Sequence, residues 1–211
     1  PVADYRADYR SNPLAYLGNL VGHEGAGSLL SQLKAEGLAE TLAAGSGLGW
    51  RGGALFSISI GLTESGLAAQ DRVLQLLFAY LDLLRAKGPQ QWLYDEQSRL
   101  ADLQFRFREQ ANPVNYVSAL ASGMHDYAPE DILRGGSLMS DYAPELIKEL
   151  LASVVPQNAL VTISHASVPV DRVSPHYEVP YSVQSVSGER LARWTAPVGD
   201  TAMALPAPNE F

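Results

Sequence analysis

The stretch ALFSISIGL, residues 54–62, carries the clearest strand pattern in the chain. Large apolar side chains alternate there with small or polar ones, which is typical of a strand buried on one face. The apolar set is Phe56, Ile58, Ile60 and Leu62, and the other set is Ser57, Ser59 and Gly61. The strand predicts a sheet with one face turned towards a core.

A long amphipathic helix is predicted directly after this strand. Thr63 or Ser65 is placed to cap it, and Gly88 is placed to end it. Its apolar positions recur at helical spacing, at Val73, Leu74, Leu77, Phe78, Leu81 and Leu84. A strand of this kind followed by such a helix indicates helices packed against a sheet.

The region before the strand predicts two short helices and a second strand. Asn12 and Pro13 form a helix start, followed by Leu14, Leu17, Leu20 and Val21 on one face. Gly25 and Gly27 break this helix. Ser28 caps a second helix that ends at Gly37. Residues 38–48 are small and glycine-rich, and we interpret them as an irregular strand.

The region after residue 88 predicts further helices and one more strand. Pro89 starts a helix with an apolar set of Trp92, Leu93, Leu100, Leu103 and Phe107. In FRFRE, residues 105–109, we expect the phenylalanines in the core and the arginines in solvent. Shorter helices are predicted near 113–123, 129–134 and 144–154, and ALVTIS, residues 159–164, is predicted to be a strand.

These elements predict an α+β fold with helices on one face of a mainly antiparallel sheet, because the strands are too few for a doubly wound sheet. We place the core in residues 1–168. Residues 169–211 hold six of the 13 prolines and are interpreted as an arm that wraps the domain and leaves as a linker. Tyr177, Tyr181 and Trp194 are expected to bury their rings.

Composition narrows the class of protein. The net charge of −8 over 211 residues argues against a nucleic-acid surface. The chain has no cysteine, so thiolate metal sites are excluded. Without cysteines, the sequence does not indicate an oxidising or a reducing cellular compartment. No apolar run reaches the roughly 18 residues of a membrane span. The sequence starts at Pro1 rather than at methionine, and we expect it to be part of a longer protein.

The candidate functional site is a His–Glu pair, His23 and Glu24, between a helix and a glycine turn. A zinc site needs about three converging ligands. A histidine four residues before His23 would supply a second ligand from the same helix face, but that position is Asn19. By itself the pair therefore favours a structural histidine.

The chain resembles the insulinase (pitrilysin) family of zinc metallopeptidases, specifically the inactive second domain of the long, four-domain members. The matching text is YLGNLVGHEGAGSLLSQLKAEGLAETLAAG, FSISIGLTESGL, GPQQWLYDEQSRLADLQFRFRE, YAPELIKELL, PQNALVTISH and LPAPNEF. The family's catalytic domain carries the zinc motif His-x-x-Glu-His. On that motif Asn19 replaces the first histidine, Gly22 replaces the general base and His23 remains. Glu96 falls near the distal ligand.

The resemblance implies that this chain is a non-catalytic domain with no metal of its own, while zinc is bound by the first domain of the parent metalloendopeptidase. It also implies that the chain forms part of a closed chamber and holds an exosite that binds the peptide substrate. The implied exosite residues are Asn19, Gly22, Glu24, Leu42, Ala44 and Gly45. The small-residue strand TLAAG is suited to pairing with an extended peptide.

Three alternatives to this function are weighed from the sequence. An autonomous enzyme that keeps a metal through His23, Glu96 and an unrecognised third ligand is disfavoured, because the general base is missing. A catalytically dead subunit that pairs with a separate active chain is also disfavoured, because the terminal LPAPNEF resembles the exit towards a third domain. Within the single-chain hypothesis, the parent is either a general oligopeptidase or a bacterial peptidase for one precursor peptide, such as that of the quinone cofactor PQQ. The expected partners are peptide substrate and other domains of the same chain, without nucleic acid or a membrane span.

Overall fold

A computed structural model describes residues 1–208 of the chain. The helices in this range are α1 Pro13–Val21, α2 Leu29–Ala35, α3 Glu64–Ala68, α4 Gln70–Lys87, α5 Gln91–Arg106, α6 Pro113–Gly123, α7 Pro144–Ser153 and α8 Gly188–Trp194. The strands are β1 Ala39–Trp50, β2 Gly53–Leu62, β3 Arg172–Val173 and β4 Pro180–Tyr181. Single 3-10 turns lie at Arg6–Asp8, Pro129–Asp131, Gly135–Ser137 and Pro156–Asn158.

The two N-terminal helices begin at the predicted capping residues. The side chain of Asn12 accepts a hydrogen bond from the Ala15 N–H at 3.3 Å, at the start of α1. The Ser28 hydroxyl accepts one from the Ser31 N–H at 3.0 Å, at the start of α2. Gly37, with φ at +68°, follows the end of α2, as expected for a glycine stop. These predictions are confirmed.

β1 and β2 form an antiparallel hairpin. Leu42 lies opposite Ile60 and Ala44 lies opposite Ile58. β1 runs to Trp50, two residues beyond the predicted strand, and has an extra residue between Ser46 and Gly49 relative to β2. Such a bulge twists the hairpin locally while β2 keeps its regular alternation.

The core lies between the hairpin and the helices, with α4 at its centre. Seven side chains of α4 are buried, namely Val73, Leu76, Leu77, Phe78, Tyr80, Leu81 and Leu84. The apolar side chains of β2 pack against this core and are half-buried, whereas Ser57, Ser59 and Gly61 are exposed. The predicted face of β2 and the α+β architecture are confirmed.

Three predictions for residues 89–168 are wrong. Residues 159–164 form no strand, because a strand needs the backbone hydrogen bonds of a neighbouring edge and residues 160–164 make none within residues 1–208. Only Pro129–Asp131 of the predicted helix 129–134 forms, and as a 3-10 turn. The second half of α5 is not core: Leu100, Leu103 and Phe107 are 46%, 49% and 80% exposed, since no element in residues 1–208 covers that face.

The C-terminal region returns to the core through a helix that the sequence did not reveal. α8 is capped by the hydroxyl of Ser187 and ends at Trp194, whose ring is buried and stacks on Phe78 with centroids 6.2 Å apart. Tyr177 is 84% exposed and Tyr181 is 40% exposed, so only the tryptophan of the three aromatics is buried. The end of the predicted linker, residues 209–211, lies outside the described range, and the division at 168/169 stays a prediction.

Candidate functional site

A hollow lies between α1 and the outer edge of β1. Its lining comes from the last two turns of α1, the turn that follows, and the first half of β1: Ala15, Gly18, Asn19, Gly22, His23, Glu24, Leu42, Ala43, Ala44 and Gly45. All six residues of the predicted exosite are among them. Glu96, on α5, is not part of this lining, although the resemblance grouped it with His23.

Gly18 of α1 and Gly22, which directly follows this helix, allow α1 to approach β1 closely. A Cβ on Gly18 would lie 3.0 Å from the Cα of Gly45 and 3.1 Å from the Ala44 carbonyl oxygen. A Cβ on Gly22 would lie 2.9 Å from the Gly18 carbonyl oxygen and 3.5 Å from the Ala44 nitrogen. Side chains at these two positions would fill the space beside Ala44. The lack of side chains at Gly18 and Gly22 therefore lets α1 pack closely on β1 and also leaves the hollow open.

The peptide groups of Ala44 point into the hollow. Val2 exchanges two backbone hydrogen bonds with Ala54, at 2.8 and 3.0 Å, on the edge of β2 that faces away from β1. The N–H and C=O groups of successive residues point to opposite edges of a strand. Since those of Ala54 point away from β1, those of Ser57 and Ser59 point towards it. Their partners there are Gly45 and Ala43.

The same alternation fixes the free edge of β1. The N–H and C=O groups of Leu42 and Ala44 point away from β2, in agreement with the short distances from Ala44 to α1. No strand pairs with this edge in residues 1–208. Gly45 lines the hollow, but its peptide groups face β2. The edge thus offers donors and acceptors to an incoming extended chain.

The residues that match the family's zinc motif do not fit a zinc ion. The Nδ1 atom of His23 accepts a hydrogen bond from the Gly25 N–H at 3.2 Å. Asn19 is a poor zinc ligand, and Gly22 has no side chain to take a proton from water. Within residues 1–208 no three His, Cys, Asp or Glu residues are grouped closely enough to hold a metal ion. The site contains one imidazole, whose ring is held by the turn that follows α1.

The turn after α1 presents a carboxylate at the rim of the hollow. Glu24 and Asn19 are both exposed. The end of α1 beneath them is anchored from the core, since the Tyr80 hydroxyl donates to the Leu20 carbonyl oxygen at 3.2 Å. Burial raises the pKa of Tyr80 to about 12, so this hydroxyl remains a donor at neutral pH. Glu24 therefore faces solvent from the turn that follows this anchored end of α1.

Gly18 is the site residue that sequence reasoning missed. It lies one helical turn before Gly22, so the two glycines share the face of α1 that meets β1. That spacing inside an otherwise apolar helix was the available signal, because a glycine in a helix interior costs about 1 kcal/mol relative to alanine.

Comparison with known protein families shows which class of protein this chain resembles. The family model described as the peptidase M16 inactive domain matches residues 1–100, and the model described as the middle or third domain of peptidase M16 matches residues 105–211. The two models meet at the C-terminal part of α5. The hollow lies entirely within the part of the chain that the inactive-domain model matches.

Individual relatives agree with these models. The chain is 37% identical to human insulin-degrading enzyme over 205 residues, which is 96% of this chain and 20% of that protein. It is 33% identical to the A-factor-processing enzyme of Saccharomyces cerevisiae, over 100% of this chain and 20% of that protein. The crystal structure of pitrilysin superposes with a TM-score of 0.92 at 30% identity, over 99% of this chain and 22% of that one.

The chain belongs to the M16, or insulinase, family of peptidases. It spans about a fifth of the length of the curated relatives it matches. Among the described residues, no helix combines the length and the apolar character needed to cross a bilayer.

Proposed function

We propose that this chain is a non-catalytic part of an M16 peptidase that binds the peptide substrate while a separate zinc-bearing domain hydrolyses it. The observation that carries the proposal is the free edge of β1, where the peptide groups of Leu42 and Ala44 open into the hollow beside Gly18 and Gly22. An open strand edge with small side chains is a surface to which an extended peptide can add a strand. The chain then forms part of the wall of the substrate chamber.

Glu24 is the proposed contact for the amino terminus of the peptide. Its carboxylate lies at the rim of the same hollow, so a strand on the β1 edge brings its first residues near it. A charge-assisted hydrogen bond between ammonium and carboxylate is worth about 1.5–3 kcal/mol when shielded. Because Glu24 is exposed, we expect only about 0.5–1 kcal/mol here. Asn19 offers an amide on the neighbouring turn of α1 for a further polar contact.

Peptide is the substrate class that the relatives' names support. One relative is named for the degradation of insulin, which is a peptide, and another is named for the processing of A-factor. Hydrolysis by the chain alone is not expected, because Gly22 stands where the family has its catalytic base. A dead subunit paired with a separate active chain, and a peptidase dedicated to one precursor, stay predictions.

Binding of paired peptides to Glu24→Gln tests the proposal. Two versions of one extended octapeptide, with a free and with an acetylated amino terminus, are titrated against the wild-type chain and the variant. We expect the variant to bind the free peptide about two- to fivefold more weakly, which corresponds to the energy above, and to bind the acetylated peptide unchanged.

A matched control is Glu40→Gln, which removes an exposed carboxylate of β1 outside the hollow. It should leave both affinities unchanged. Equal losses for the free and the acetylated peptide in Glu24→Gln would rule out the contact with the amino terminus. Absence of binding by the wild-type chain at millimolar peptide would rule out the exosite.

A further inference from the structure

After α8 the chain is tied by hydrogen bonds first to α4 and then to α2. The Gln75 side chain of α4 donates through Nε2 to the carbonyl oxygens of Ala196 and Pro197, at 3.1 and 3.4 Å. The Gln32 side chain of α2 accepts a hydrogen bond from the Ala202 N–H at 3.2 Å, through Oε1. The C-terminal region therefore crosses the surface of the domain on a fixed path.

Residues 202–204, which we call the strap, reach the turn between α1 and α2 that carries Glu24. The Ala204 N–H donates to the Gly27 carbonyl oxygen of this turn at 2.9 Å. Met203 anchors the strap, because its side chain is buried in the core. No strap residue lines the hollow, so the strap contacts the turn from outside the peptide site.

The turn and the strap fit closely at Gly27. Its φ of +80° lies in the left-handed region that favours glycine. A Cβ there would lie 3.2 Å from the Ala204 Cβ and 3.3 Å from the Ala204 nitrogen. Gly37 has a similar conformation, with φ at +68°, but a Cβ there would meet nothing within 4 Å. The close approach of another segment is therefore a feature of Gly27.

The hydrogen bonds inside the turn are all local. The Gly25 N–H donates to Nδ1 of His23 at 3.2 Å, and the Ser28 N–H donates to the Gly25 carbonyl oxygen at 3.1 Å. Each of these bonds joins residues two or three positions apart, so neither fixes the turn against the rest of the fold. The bond from Ala204 to Gly27 does so, because it comes from a segment that the core holds independently.

We propose that the strap is a positioning element of the peptide site, which holds the turn so that the Glu24 carboxylate stays at the rim of the hollow. This inference rests on the proposed function, in which Glu24 contacts the amino terminus of the peptide. Coupling between two contacts is reciprocal, so a peptide held by Glu24 also stabilises the strap on the turn. The strap lies in the region matched by the model of the middle or third domain, and the turn lies in the region matched by the inactive-domain model. The peptide site therefore depends on both regions.

Amide exchange of Gln32→Met tests the strap without peptide. This change removes the acceptor for the Ala202 N–H and keeps an unbranched side chain that suits a helix. We expect the Gly25 and Ser28 amides to exchange about fivefold faster than in the wild type, because the turn opens more often. Gln75→Met is the matched control, since it removes the other glutamine bond to the C-terminal region, away from the turn. It should leave both amides at their wild-type rates.

Met203→Ala is a second variant, which loosens the strap from the core rather than from α2. We expect it to speed exchange of the Gly25 and Ser28 amides by about tenfold. The Ala43 amide, which pairs with β2, should keep its wild-type rate in both variants. That reference shows that the domain is still folded.

The free and the acetylated octapeptide then measure the coupling to the peptide site. At saturation of the wild-type chain, the free peptide should slow exchange of the Ala204 amide about twofold, and the acetylated peptide should leave it unchanged. The Thr195 amide, which bonds to Leu191 at the end of α8, should respond to neither peptide. In Gln32→Met the ratio of the affinities for the two peptides should fall about twofold. A role in stability alone would not change this ratio.

The outcomes separate the strap from the peptide contact. Wild-type exchange of the Gly25 and Ser28 amides in both strap variants would overturn the proposal, whether or not peptide binds. Faster exchange with an unchanged affinity ratio would also overturn it, because the turn would then move without effect on Glu24. If the variants exchange faster but the wild type itself does not prefer the free peptide, the contact with Glu24 fails, while the hold of the strap on the turn is supported.

Discussion

Replacing Gly18 by alanine is expected to destabilise the chain, although alanine is the better helix former. The added Cβ would lie 3.0 Å from the Gly45 Cα and 3.1 Å from the Ala44 carbonyl oxygen, so β1 has to move away by a few tenths of an ångström. Overpacking of this kind costs about 1–3 kcal/mol. The higher helix propensity of alanine offsets about 1 kcal/mol. We therefore expect the free energy of unfolding to fall by about 1 kcal/mol.

Urea denaturation of Gly18→Ala measures this change, with Gly188→Ala as the control. Gly188 is the first residue of α8, and a Cβ there would meet nothing within 4 Å. The control should be neutral or slightly stabilising, because only helix propensity changes. If Gly18→Ala stabilises the chain as much as Gly188→Ala does, α1 and β1 are not in the close contact from which the site was derived.

Two further predictions concern the core and the C-terminal region. Burial alone would raise the pKa of Asp71, but hydrogen bonds from Arg190 and from the Trp194 indole lower it overall. Its carboxylate therefore stabilises the fold above the unfolded pKa of about 3.9, and this contribution is lost as the pH falls through the lower folded pKa. Asp71→Asn should lower the free energy of unfolding by about 1 kcal/mol at pH 6. In urea titrations this difference in stability from the wild type should shrink below about pH 4. A difference that stays constant with pH would contradict the ion pair. Leu81→Ala should lower the free energy of unfolding by about 2–5 kcal/mol, because the side chain is fully buried. Phe107→Ala should change it by no more than about 0.5 kcal/mol, because that ring is 80% exposed. Comparable losses of stability for the two variants in thermal melts would refute this assignment of core and surface.

Local patterns predicted the elements that depend on neighbouring residues. Asn12 and Ser28 start their helices because each side chain bonds a backbone N–H three residues later. β2 was found because its alternation matches a sheet with one buried face. Such features depend on a few consecutive residues, and they are therefore readable without knowledge of the tertiary contacts.

The errors occurred where partners outside the local sequence decide the structure. The pattern of residues 159–164 is that of a strand, but a strand forms only when another edge is beside it. Leu103 and Phe107 fit an apolar helix face, yet nothing in residues 1–208 covers them. α8 was missed because it is only seven residues long and lies in a proline-rich region; its burial depends on the contact of Trp194 with Phe78.

The candidate site was predicted from resemblance rather than from local chemistry. His23 and Glu24 alone favoured a structural role, and the hydrogen bond from the Gly25 N–H to His23 agrees with that. The alternation that turns the peptide groups of Leu42 and Ala44 outward was not visible in the sequence, because it depends on the register with β2. The small residues of TLAAG were the only feature of the sequence that indicated an edge able to pair with a peptide.

Residue-resolved amide exchange of β1 during titration with an extended octapeptide that has a free amino terminus tests the central claim most directly. If the peptide adds a strand to the open edge, the amides of Leu42 and Ala44 slow down on saturation, while those of Ala43 and Gly45, which already pair with β2, stay unchanged. Saturation that leaves Leu42 and Ala44 unaffected, or that slows all four amides alike, would contradict peptide binding at this edge.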